Sequence, residues 1–214
     1  MLEVHAPHEG THGWRGFMVH IAAIAIGLLL ALALEKFAEY VHERRQLTEA
    51  RSELAAEVAE NRRLWANNVA EASRVESELN TDLKAIRALA AHAPLEGLGL
   101  DYSVRFYAVL DGPWQVVRQS GSLSLMPAAE LQKYAWFHAV LASLMESMHA
   151  LETSIQISGA IAKSGHPEEL GPRDLDELRS GTLEALGRLT HLQMFLEIEG
   201  SGLNQLELAK TRTQ

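Results

Sequence analysis

From Phe17 to Leu34 the chain reads FMVHIAAIAIGLLLALAL, without a formal charge or a proline and with His20 as its one strongly polar side chain. An α-helix rises about 1.5 Å per residue, so the run covers about 27 Å, close to the roughly 30 Å hydrocarbon core of a bilayer. Trp14 and Arg15 before it and Phe37 and Tyr40 after it suit the two membrane interfaces. The pattern predicts a transmembrane helix with interfacial flanks over 14–36. A secretory signal would have a shorter apolar core, a basic start and a small-x-small cleavage site. Here the leader carries Glu3, Glu9 and Arg15, and no such site follows Leu34, so an uncleaved anchor is expected.

Beyond the span the hydrophobic pattern stays helical. Between Gly27 and Pro94 there is neither glycine nor proline, so the anchor is expected to continue into a long helix. Leu47, Ala50, Leu54, Val58, Asn61, Trp65, Asn68, Ala72, Val75, Leu79, Ile86 and Leu89 recur mainly at three- and four-residue steps, an apolar stripe that needs a cover. Asn80-Thr81-Asp82, all good caps, could restart a second helix there. Asn61 and Asn68 could set register in a helical pairing, or lie half-exposed.

Turn residues in APLEGLGLDYS, 93–103, end this helix. Asp111-Gly112-Pro113 opens a short helix that Gly121 closes, and Pro127 opens another running to about Ile157, with Leu131, Tyr134, Ala135, His138, Leu141, Ala142, Met145, Met148, Leu151 and Ile155 on one face. After the loop 165–172, Asp174 caps a last helix to about Ile198, and Gly200-Ser201-Gly202 is expected to end it. No segment alternates with period two. The expected architecture is all-α: a His-containing tail over 1–13, one transmembrane helix over 14–36 continuing into a long helix, a helical bundle over 37–200 outside the membrane, and a tail over 201–214.

Within the span, Gly16, His20, Ala23, Gly27 and Ala31 fall within about 80° of one another at 100° per residue. Small residues at this spacing let a second helix approach closely, and an intramembrane histidine usually faces protein or ligand. These five residues are the expected helix-packing interface, toward another copy or another membrane subunit. Gly16-x-x-x-His20 is also similar to the small-xxx-His pattern by which antenna helices hold bacteriochlorophyll, which makes His20 a candidate tetrapyrrole ligand. His5, His8 and His12 are candidate ligands for a divalent metal. No cofactor is predicted as resident.

Charge and composition narrow the partners. Only Arg15 of the 19 Lys and Arg, and Glu3, Glu9 and Glu35 of the 28 Asp and Glu, precede Lys36, leaving the remainder with a net charge of −7. Such a surface repels nucleic acid, so none is expected as a partner. The chain has no cysteine, which removes disulfides and thiol chemistry. Lys36, Arg44, Arg45 and Arg51 follow the span and only Arg15 precedes it, so the positive-inside rule favours a cytoplasmic helical domain.

The run HGWRGFMVHIAAIAIGLLLALALEKFAEYVHERRQ, then ELAAEVAEN and PWQVVRQSGSLSLMP, resembles a group of small uncharacterised bacterial single-pass membrane proteins with a His-rich N-terminus and a helical soluble domain. The resemblance covers about a third of the chain and implies a bacterial inner-membrane protein, with no activity and no site residues attached.

Catalytic signatures are missing. There is no GxSxG, P-loop, dinucleotide glycine pattern or HExxH, since in His42-Glu43-Arg44-Arg45 the next residue, Gln46, replaces the second histidine. His149 and Glu152 with a residue of the last helix could form a metal site, but the repeated Glu-x-x-His of carboxylate bundles is missing. His138, His149 and His191 therefore read as satisfied or solvent-edge histidines. The expected function is a non-enzymatic accessory or scaffold subunit of a membrane complex. The alternatives are a single-pass sensor whose bundle binds a small molecule and a pigment-, haem- or metal-binding subunit using His20.

Overall fold

The computed structural model describes residues 13–211, with side chains as far as Leu206. Among these residues it is all-helical, with α1 (Trp14–Ala90), α2 (Gly112–Gln119), α3 (Ala128–Ala162), α4 (Pro172–Thr211) and two short 3-10 turns, and no strand. The chain divides into two compact units between Thr48 and Glu49. The division falls later than the expected 36/37 boundary because side chains stay exposed through Arg45 and the first buried one is Ala50.

The first unit holds the apolar part of α1, which is long and apolar enough to cross a membrane and has no side chain buried against the protein.

In the second unit, α1 buries Ala50, Leu54, Glu57, Asn61, Leu64, Asn68, Ala72, Val75, Leu79, Asp82 and Ile86 along one seam. The steps alternate between four and three residues, except that two four-residue steps meet at Asn68. A strict 3.5-residue repeat drifts around a 3.6-residue helix, and the extra four-residue step brings the seam back in line. No new helix starts at Asn80-Thr81-Asp82. Asn80 Nδ2 donates to Glu76 O at 2.8 Å and Thr81 Oγ1 to Ser77 O at 2.9 Å, so these side chains bond back into the preceding turn rather than capping a new one.

The helix ends at a left-handed residue, His92 (φ 51°), with Ala93 N–H bonded to Ala88 O at 2.9 Å and His92 N–H to Leu89 O at 3.0 Å, the paired bonds of a Schellman stop. Glu96 (φ 49°) and Gly97 (φ 84°) complete the reversal. Residues 98–111 then have no regular secondary structure; residues 101–110 lie along α1.

α3 runs past the expected Ile157 to Ala162, and its buried face includes Phe137 and Leu144, while Ala135 and Ala142 are exposed. α4 corrects the expected end at Gly200-Ser201-Gly202 and the tail from 201, because the helix continues through both glycines to Thr211. They serve as contact points. A Cβ at 200 would lie 2.8 Å from Trp65 Cζ2, and one at 202 would lie 2.9 Å from Trp136 Cζ3. Two indoles press onto this turn of α4, and only glycine leaves them room. Trp65 also donates from Nε1 to Leu196 O at 2.7 Å.

Val75, Leu79 and Ile86 of α1, Tyr102 and Val109 of the irregular segment, Phe137, Leu141 and Leu151 of α3, and Leu178, Leu189 and Leu203 of α4 belong to one apolar core. α3 and α4 meet through small residues. A Cβ at Gly181 would press on the Ser158 hydroxyl, with Ser158 Cβ 3.7 Å away, so an alanine there would turn that hydroxyl aside.

Candidate functional site

The expected helix-packing residues Gly16, His20, Ala23, Gly27 and Ala31 lie on α1 with every side chain exposed, and a Cβ at Gly27 would meet nothing within 4 Å. Of the anchors, Trp14 contacts Phe17 with ring centroids 5.9 Å apart, and Arg44 sits 5.9 Å over the Tyr40 ring; Arg15 and Phe37 are exposed. His5, His8 and His12 lie outside the described residues. His149 is exposed, and no cluster of three or more His, Asp or Glu suited to a metal occurs among the described residues.

The chemistry of the second unit concentrates on the α1 seam, where four polar residues are buried: Glu57, Asn61, Asn68 and Asp82. They hold the main chain of the irregular segment. Asp82 Oδ1 accepts the N–H of Asp101 at 2.8 Å, and Glu71 Oε1 accepts that of Arg105 at 2.7 Å. Asn68 exchanges both bonds with Tyr107, accepting its N–H at 2.8 Å and donating to its carbonyl at 2.9 Å. Asn61 does the same with Leu110, at 2.7 and 2.8 Å. Glu57 Oε2 accepts the N–H of Trp114 at 2.7 Å.

A carboxamide presents an N–H donor and an acceptor oxygen on one edge, as an extended residue does with its own N–H and C=O, so each asparagine takes the place of a residue in a neighbouring strand. From Glu57 to Asp82 α1 advances about 37 Å; an extended chain from residue 101 to 111 spans about 33 Å and the first turn of α2 adds about 4 Å to Trp114, so the two match in length. The expectation that Asn61 and Asn68 set helix register or sit half-exposed is replaced by this finding. Both are fully buried and bind an extended strap, which hydrophobic periodicity could not reveal.

Glu57 also completes α2. Asp111, in the cap position, makes no capping bond; its Oδ2 accepts from Gln115 Nε2 at 3.2 Å. The N–H a cap would satisfy belongs to Trp114, and a carboxylate from α1 takes it instead. The other Glu57 oxygen, Oε1, lies 3.2 Å from His138 Nε2 of α3, off hydrogen-bond alignment. The His138 ring stacks on Trp114 at 4.5 Å and 6°, and meets Phe137 edge-on at 5.5 Å.

Burial drives the ionisation of this group. It pushes the Glu57 carboxyl up to about 7, against the lowering pull of the Trp114 N–H, and it pushes the His138 imidazole down to about 4. Asp82 rises to about 6 for the same reason. Glu71 shifts the other way, lowered first by its bond to Arg74, with Nη2 to Oε1 at 2.6 Å. His138 is thus buried with no hydrogen-bond partner among the described residues, unlike His191, whose Nδ1 lies 3.3 Å from Ser147 Oγ and whose ring meets Phe195 edge-on.

An open cleft of ≈ 680 Å³ between α3 and α4 is lined by Ser143, Glu146, Ser147, Arg188, His191 and Phe195, among others. No protein-family model, curated protein or solved structure matches the chain.

Proposed function

We propose that the protein is a non-enzymatic accessory or scaffold subunit of a bacterial membrane protein complex. It sits in the inner membrane through the 14–36 segment of α1, with the 37–200 region as a helical bundle on the cytoplasmic side. The observation that carries this reading is the contrast along α1. Its second part buries one seam against the strap and the other helices, whereas its apolar first part buries nothing and turns Gly16, Ala23, Gly27 and Ala31 to one side. An apolar helix with no cover of its own suits lipid, and its small-residue face suits a neighbouring helix, from its own copy or another subunit. Purification in mild detergent followed by native mass spectrometry tests this. Recovery with stoichiometric partner or sister chains is expected, and a lone monomer would refute it.

The α3/α4 cleft favours a second reading, a single-pass sensor whose helical domain takes a small molecule. A small-molecule panel that leaves the melting temperature unmoved counts against it. For His20 as a tetrapyrrole ligand, the absorption spectrum of the protein from its native membrane decides, and a colourless sample retires the idea.

A further inference from the structure

The two ends of the strap are fastened in the same way. At one end Glu57, 2 % exposed, takes the Trp114 N–H; at the other Asp82, 1 % exposed, takes the Asp101 N–H. Neither carboxyl has a cationic side chain bonded to it among the described residues, whereas Glu71, between them, has Arg74. Each faces an acid carried by the strap itself, Asp111 beside Glu57 and Asp101 beside Asp82.

The remaining ionisable neighbours do not offset this. Near Glu57, α3 presents His138, held neutral by burial, and Tyr134, beyond which Arg51 is engaged by Glu130 through two bonds at 2.9 and 2.6 Å. Near Asp82, α1 presents Glu78, paired with Arg74, and the strap presents Tyr102, whose hydroxyl lies 2.6 Å from Thr182 Oγ1.

We propose that residues 101–114 form a proton-controlled latch on α1, closed while Glu57 and Asp82 are protonated and released when both ionise. A neutral carboxyl keeps one oxygen as acceptor for the strap N–H and buries no charge. An ionised one places an uncompensated charge in a buried interface that an aspartate of like sign already disfavours. The direction follows from burial, which raises Glu57 to about 7 and Asp82 to about 6, so protons bind the closed form more tightly and rising pH opens it. Between the ends, Asn61 and Asn68 do not titrate, so the pH response of their bonds to Tyr107 and Leu110 comes from the two carboxyls. Opening would uncover Tyr102, Val109 and Trp114, which are buried in the closed form.

Hydrogen exchange read by mass spectrometry on the full chain in detergent tests the latch, with each amide normalised to its intrinsic exchange rate at each pH. Protection of the amides of Asp101, Tyr107, Leu110 and Trp114 should fall at least tenfold more than that of α3 and α4 amides from pH 5.5 to 8.5. The double substitution E57Q/D82N should keep the strap protected across the range. Protection that does not vary with pH in the wild-type chain overturns the proposal without need of any variant. So does a fall shared equally by α3 and α4, or one that persists in a folded E57Q/D82N chain.

Discussion

Glu199 allows a stability prediction with a definite sign. Its side chain is fully buried on α4, and neither carboxyl oxygen has a hydrogen-bond partner among the described residues. Burial alone pushes the group from its ordinary 4.5 up to about 8. The folded chain therefore holds a proton that the unfolded chain releases, and stability falls as pH rises from 4.5 to 8 and is unaffected below. At about 1.4 kcal/mol per unit, the full separation corresponds to about 5 kcal/mol above pH 8. Relaxation and water entry around a buried carboxylate reduce this, and about 2 kcal/mol is the expected net effect.

Glu199→Gln keeps the shape and removes the titration. Thermal unfolding of both chains in detergent at pH 5.0 and 8.5 isolates the effect, because Glu57, Asp82 and His138 titrate alike in both. At pH 8.5 the variant should gain about 4–8 °C relative to its own offset from wild type at pH 5.0, using about 2–4 °C per kcal/mol for a chain of this size. An offset that is the same at both pH values, or one that moves against the variant at pH 8.5, would refute the reasoning.

Gly200→Ala pushes a methyl into the Trp65 indole and should cost about 1–3 kcal/mol in denaturant unfolding, with part recovered in combination with Trp65→Phe. Asn68→Ala leaves the N–H and carbonyl of Tyr107 without partners and should cost about 2–4 kcal/mol, with exchange at Tyr107 rising more than at α4. Gly27→Leu should abolish assembly in native mass spectrometry while membrane insertion is retained; unchanged assembly would reduce the segment to a plain anchor.

Much of the helical layout was legible because burial of one face leaves a period in the sequence. The Leu54, Val75, Leu79 and Ile86 series and the Asp111-Gly112-Pro113 start of α2 follow from local patterning. What remained hidden depends on residues far apart in the chain. Asn61 and Asn68 look like ordinary polar interruptions until Leu110 and Tyr107 are beside them. Gly200 and Gly202 carry the local signature of a helix stop, and only the indoles of Trp65 and Trp136 show that they are contact points instead. His138 gave no warning of its burial, since its place on the stripe suited a solvent-edge residue equally well.

The strap between α1 and α2 also sets a rule for sequence change. Surface connections ordinarily accept insertions at small cost. This one is measured against a helix: the carboxamides of Asn61 and Asn68 stand seven residues apart, about 10.5 Å, and three extended residues from Tyr107 to Leu110 cover nearly the same distance. One residue more or fewer there would change the span by about 3 Å and break its match to the two asparagines. Length in this stretch is therefore as constrained as side-chain identity in the core, and an insertion or deletion between 107 and 110 should not be tolerated.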